Sequence, residues 1–237
     1  GLKPIVHTIA PFLVERAYEQ LKVDFGYQRL EATFVSVGGS FDYASLGCTH
    51  HCPGDVSILE NIEGFNIFVP GHPLELEVIM AYIQRCGGLN YVRLSEHSNR
   101  AFIADSVHHP FTVVPGRDED PTILAVGPCL DMVLEAAKDL PVRVVYTTSV
   151  SNHAREVYGD IRLLSSNRNL IVVEPYYSSQ LAAKISHSSA DRTWQLNVRS
   201  FSPQRRFAEG YGTTDQLYSS TGFNSSFLRT EIARWIK

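Results

Sequence analysis

Apolar residues in this chain form short β-branched runs that alternate with longer stretches at helical spacing. The run KPIVHTI (3–9) is compact and rich in Val and Ile, which predicts a buried strand. The stretch 10–28 follows, with Phe12, Arg16, Tyr18, Leu21 and Phe25 near a helical period. Further strands are predicted over 31–38, 65–71 and 89–95, and helices over 55–62 and 73–88. Asp55 opens the first of those helices, where a carboxylate suits the positive end of the dipole, and Gly87-Gly88 closes the second. Between 96 and 121 the pattern dissolves into polar sequence with Pro and Gly, which predicts a linker between two domains, 1–112 and 121–237. The rhythm then resumes with strands over 122–127, 142–150, 169–175 and 193–200, and helices over 129–140, 178–189 and 224–236. This alternation predicts an α/β fold of two three-layer units with mainly parallel sheets.

Composition narrows the function classes. The hydrophobic fraction of 44% and charged fraction of 19% are those of an ordinary globular protein, and 237 residues are enough for a substantial core. A formal charge of −4, with Arg199, Arg205 and Arg206 scattered, argues against nucleic acid and against anionic membranes. No apolar run approaches the ~20 residues that span a bilayer. No basic-then-apolar leader is seen, and the 4 cysteines are too few for a disulfide framework. A cytoplasmic setting is the expectation.

The densest chemistry lies in LGCTHHCPGDVSILENI (46–62), where Cys48, His50, His51 and Cys52 crowd together. As a zinc site it fails on spacing. Ligand pairs are normally two to four residues apart, with a second pair elsewhere, and neither His108-His109, Cys86 nor Cys129 supplies one. No metal ligand is therefore assigned. As a catalytic loop the stretch is better placed, beyond the carboxyl end of the 31–38 strand, where open α/β sheets hold ligands. A histidine there exchanges protons with substrate oxygens near neutral pH, and Gly38, Gly39 and Gly47 let the backbone approach closely. By position alone, His50 and His51 are equally readable as surface histidines.

Three segments in order carry a resemblance: GLKPIVHTIAPFLVERAYEQLKVDFGYQ (1–28), GCTHHCPGDVSILENIEGFNIFVPGHPLELEVIM (47–80) and RFAEGYGTTDQLYSSTGF (206–223). Together the chain resembles the C-terminal half of transketolase-like, thiamine-diphosphate-dependent enzymes. These include 1-deoxyxylulose-5-phosphate synthase and the β subunits of 2-oxoacid dehydrogenases. The resemblance implies a pyrimidine-binding domain, truncated at its N-terminus, followed by a transketolase C-terminal domain. It implies that Phe12 packs on the cofactor's aminopyrimidine, with Ile9 and Arg16 beside it, and that His50 faces the reacting carbon. His51 and Arg93 are implied as substrate contacts, Arg93 toward a phosphate; the plainer reading of Arg93 is a surface arginine at a strand end. Thiamine diphosphate is the implied cofactor, with Mg²⁺ bound mainly by a diphosphate-binding N-terminal subunit or domain, because no Gly-Asp-Gly…Asn motif occurs here. Homodimerisation through both domains and an α2β2-type assembly follow, with a ketone donor and an aldehyde acceptor as substrates.

The departures are specific. The family's glutamate upstream of the first strand has no counterpart, and its Gly-Glu-Asp-Gly or Gly-Ala-Asp-Gly stretch reads Ala44-Ser45-Leu46-Gly47. A histidine that some transketolases carry at the strand end is Gly38, and a Glu-His pair reads Glu174-Pro175-Tyr176. Transfer of a two-carbon ketol unit is the leading expectation. The β component of a 2-oxoacid dehydrogenase and a non-catalytic assembly subunit stand beside it. The loop changes point to a substrate bulkier or less polar than a common sugar phosphate.

Overall fold

Two sheets organise the computed structural model, which describes residues 2–103, 112–114, 116–150, 167–177, 181–190 and 195–236. The first contains β1 (Ile5–Ile9), β2 (Ala32–Val37), β3 (Phe65–Phe68) and β4 (Leu89–Arg93) in the order β1-β2-β4-β3, every neighbour parallel. Parallel strands require crossovers, and these are α1 (residues 11–27), α2 (Asp55–Leu59) and α3 (Pro73–Cys86). β2, β3 and β4 are buried almost throughout, which is why they read as unbroken apolar runs. β1 corrects the expectation of a buried strand. Among the described residues it is an edge strand paired only with β2, and Ile5 is 63% exposed. An apolar run identifies a strand but not whether anything covers it.

α1 forms where helical spacing predicts it, with unexpected winding. Pro11–Glu15 and Leu21–Tyr27 make wide π turns around a short α turn, Tyr18–Gln20, and Arg16 N donates to Pro11 O at 3.1 Å. Pro11 is tolerated in the first turn because its missing N–H would have no helical acceptor. π turns are rare and concentrate at functional sites.

The second sheet holds β5 (Thr112–Val113), β6 (Thr122–Val126), β7 (Arg143–Thr147), β8 (Asn169–Val173) and β9 (Asn197–Phe201), ordered β5-β7-β6-β8-β9. All its pairs are parallel except β5 with β7, so Thr112–Val113 already belongs to the second sheet. Among the described residues its helices are α4 (Leu130–Ala137), α5 (Leu181–Ala190), α6 (Thr214–Ser220) and α7 (Ser225–Trp235). α6 was not anticipated, although Thr213 and Gln216 make a capping box that marks its start.

The two units share structure. Val69 N donates to Thr148 O at 2.7 Å and Val150 N to Ile67 O at 3.0 Å, stitching the edge of β3 to the chain beyond β7. One apolar cluster runs from Leu59 and Ile67 across to Leu124 and Leu170. Each such buried side chain contributes about 1.5–3 kcal/mol relative to exposure. The buried Glu75 at the start of α3 accepts from Tyr146 Oη at 2.7 Å, a polar tie between the units.

Candidate active site

β1 and β2 lie side by side in parallel, so the segments leaving their carboxyl ends, α1 and the loop 38–54, begin next to each other. That topology brings Phe12 to His50, with ring centroids 5.4 Å apart and edge-on. Thr49 Oγ1 lies 3.0 Å from His50 Nδ1, so the hydroxyl orients the ring. Arg16 lays its guanidinium carbon 4.0 Å from the centroid of Phe12, covering one face of that ring. Ile9, half-buried, ends β1 just ahead of Phe12. Of the sequence-derived group, Phe12, Arg16 and His50 are therefore brought into contact, with Ile9 three residues before Phe12 in the chain.

Two glycines shape the loop. Gly38, with φ of +74°, sits where any side chain would run into the Tyr43 ring; Tyr43 in turn stands 6.2 Å, centroid to centroid, from His50. Gly47, with φ of +75°, presents its bare Cα to Tyr211, and an added Cβ would come 3.1 Å from Tyr211 Cε1. Tyr211 comes from the loop between β9 and α6 and is 78% exposed. Neither tyrosine takes a role from the sequence: Tyr43 lies in no motif, and Tyr211, although inside the 206–223 segment, comes from the other sheet's unit.

His51 and Arg93 are placed elsewhere. His51 is buried, edge-on to Phe41 with centroids 5.4 Å apart. Burial holds its pKa below the usual histidine value, against the opposing pull of the Tyr43 and Ala44 carbonyls, so the ring is neutral at pH 7. Arg93 is neither at the surface nor open to a phosphate. It is wholly buried, with Nε 2.8 Å from Asp55 Oδ2 and Nη2 donating to Ser40 Oγ at 2.6 Å. Asp55 also accepts from Tyr91 Oη at 2.6 Å, and Tyr91 Oη is 2.7 Å from Ser36 Oγ. Burial pushes the Tyr91 phenol well up, so it remains a donor. Ser40 passes the network on to the Pro175 carbonyl, which also accepts from Tyr218 Oη at 3.0 Å. Asp55 thus anchors a buried network that reaches both units, a use beyond favouring the helix dipole.

The cysteines diverge. Cys48 is exposed, whereas Cys52 is buried and hydrogen-bonds to the Glu15 carboxyl one turn beyond Phe12. Among the described residues no group of three or more His, Cys, Asp or Glu side chains could hold a metal ion. No helix among them is long and apolar enough to cross a membrane.

No protein-family model matches the chain. It is 32% identical over 243 residues to an uncharacterized 33.6 kDa protein in the fasciation locus of Rhodococcoides fascians, covering 98% of this chain and 73% of that protein. It is 26% identical over 157 residues to one of the subunits of an apulose-4-phosphate transketolase of Actinobacillus succinogenes, covering 64% of this chain but only 49% of that protein. A solved structure described as a split gene transketolase, inactive β4 tetramer, superimposes with a TM-score of 0.83 at 21% identity. That match covers all of this chain and 77% of the solved one, and it bears on the fold.

Proposed function

The chain belongs to the transketolase-like family, as a component of its C-terminal half, and on that premise we propose that it serves a thiamine-diphosphate-dependent transketolase moving a two-carbon ketol unit from a ketone donor to an aldehyde acceptor. The observation that carries this reading is the meeting of Phe12 and His50 at the carboxyl ends of two adjacent parallel strands. Half-buried Phe12 offers aromatic surface to a flat heteroring, with Arg16 over one face of it and Ile9 at the end of the preceding strand. The residues present therefore fit the pyrimidine half of the cofactor. The diphosphate and Mg²⁺ fall to the N-terminal partner subunit in this reading. Bound thiamine diphosphate would supply the nucleophilic carbon and the electron sink.

This chain's share of the chemistry is positional and acid–base. Thr49 holds His50 through Nδ1, which leaves Nε2 to give a proton to, or take one from, a substrate oxygen. The solved split-gene relative is an inactive tetramer of β chains, which supports a requirement for the other subunit here too. An α2β2-type assembly would satisfy it. The 4 free cysteines suit the cytoplasm, where thiols stay reduced. The test uses the chain assembled with its N-terminal partner. His50→Ala is expected to lower turnover by roughly 10²–10⁴-fold while calorimetric affinity for thiamine diphosphate holds. Equal losses in turnover and cofactor affinity would remove His50 from the proton-transfer role.

A further inference from the structure

Two aromatic rings, Phe12 and Tyr43, stand edge-on to His50 beside the Thr49 hydroxyl that orients it, and Leu46, just before Gly47, is 50% exposed on the same loop. Tyr211 closes against Gly47 from the second unit. The loop that carries Tyr211 is held at both ends. Tyr177 Oη donates to Arg206 O at 2.7 Å, while Thr213 and Gln216 exchange the capping-box bonds at the start of α6. Tyr177 is in turn fastened to the His50 loop, its N donating to Pro53 O at 2.7 Å. An aromatic side chain is thus presented beside the His50 loop from a segment tied at Arg206 and Thr213, which limits part of the entropy lost when something packs on it. Arg93, the buried arginine that ends β4, is occupied by Asp55 and Ser40.

Resting on the transketolase reading, we propose that Tyr43, Leu46 and Tyr211 form the acceptor wall of the site, and that it takes an aldehyde with a planar aromatic or branched apolar group in preference to a phosphorylated polyhydroxy aldehyde. The wall gains from an apolar acceptor the area both sides remove from water, whereas a polyhydroxylated one would leave hydroxyls facing rings. Tyr211 and Leu46 act as specificity residues: they touch the acceptor and not the transferred carbons. Because Tyr211 comes from the second unit, the preference is set from outside the segment that carries His50 and Phe12.

The test mixes the full chain with its diphosphate-binding subunit, thiamine diphosphate, Mg²⁺ and hydroxypyruvate as ketol donor. A carbon–carbon bond forms between the donor's ketol carbon and the aldehyde carbon, whose oxygen takes up a proton, and the donor carboxylate leaves as CO₂. Benzaldehyde and 3-methylbutanal are compared with glyceraldehyde 3-phosphate. The apolar acceptors are expected to lead in kcat/KM by roughly 10- to 100-fold. Tyr211→Ala and Leu46→Asp, both at exposed positions, are expected to collapse that ratio. Donor consumption without acceptor reads the ketol chemistry separately. If it is absent, the transketolase reading falls, and NMR line broadening of benzyl alcohol against ribose 5-phosphate by the full chain decides the wall alone. Loss of the benzyl alcohol signal change in Tyr211→Ala supports it; equal broadening in both proteins overturns it. A preference for glyceraldehyde 3-phosphate overturns it as well. So does a Tyr211→Ala protein that binds its partner subunit more weakly with an unchanged acceptor ratio, since the tyrosine would then belong to a subunit interface.

Discussion

Arg93 allows the sharpest separation of a structural from a substrate-binding residue. Replacing it with Met keeps much of the side chain's volume but deletes the guanidinium from a wholly buried position. Asp55 Oδ2 then loses its 2.8 Å partner and keeps only the Tyr91 hydroxyl at 2.6 Å, while Ser40 keeps the Pro175 carbonyl. Removing one member of a fully buried pair typically costs about 3–5 kcal/mol, because the remaining charge is left desolvated. That is a large share of the ~5–15 kcal/mol by which domains are stable. At about 2–4 °C per kcal/mol for a chain of this size, the melting temperature should fall by roughly 6–20 °C. Thermal melts followed by circular dichroism and urea titrations followed by tryptophan fluorescence read the loss, as a midpoint shift with little change in slope. Arg93→Met with Asp55→Leu removes both charges and should recover most of the loss. The reasoning is refuted if Arg93→Met melts within about 2 °C of the parent and instead raises KM for phosphorylated substrates, because Arg93 would then be spending its charge on substrate.

Two further substitutions probe the loop and its surroundings. Gly38→Ala forces a Cβ into the left-handed region and into the Tyr43 ring, so a loss of at least ~1–2 kcal/mol is expected in urea titrations, and an unchanged midpoint would contradict the placement of Tyr43. The Glu15 carboxyl, though exposed, is raised chiefly by partial desolvation, with Asp55's charge adding to the rise while the Cys52 hydrogen bond and Arg16 pull the other way. Folding therefore favours its protonated form. Its contribution is complete below the ordinary carboxyl pKa and is lost as pH rises through the raised value. Melting temperatures of parent and Glu15→Gln between about pH 4 and about pH 7 should show the parent losing ground as pH rises. The opposite slope would mean that Glu15 is held as a carboxylate.

Much of the fold was legible because parallel strands buried on both faces appear as continuous apolar runs. Those around Phe34, Ile67 and Val92 need no context to be recognised. The failures have separate causes. β1 has the same composition as its neighbours, but strand propensity does not report coverage, and Ile5 and Val6 face outward. Helical spacing in α1 locates the apolar face without distinguishing α from π winding. β5 is two residues long, and α6 is seven residues of mostly polar sequence whose cap was its only clear signal.

The site divides along the same line between local and distant information. His50 and Phe12 follow two strands that pair in parallel; the rule about carboxyl ends points to the loop of His50, whereas Phe12 is implied only by the family resemblance. Arg93 and Asp55 were each noticed, but as separate features: an arginine ending a strand and an acid opening a helix. An arginine flanked by Tyr91, Val92 and Leu94 already implies a buried counter-charge, and Asp55 is the one the fold delivers. Tyr211 had no such signal, because its role depends on Gly47 having no side chain and on Tyr177 binding both loops. This split has a functional consequence. In the proposed reading, the residues assigned to the shared cofactor must satisfy one fixed molecule, and Ile9, Phe12 and Arg16 sit in one contiguous segment of the first unit. The residues proposed to face the variable acceptor come partly from a loop of the second unit, so they can change without disturbing Phe12 or His50. Acceptor preference should therefore follow the 205–212 loop when that loop is exchanged between relatives, while turnover of the donor alone stays with the segment that carries His50.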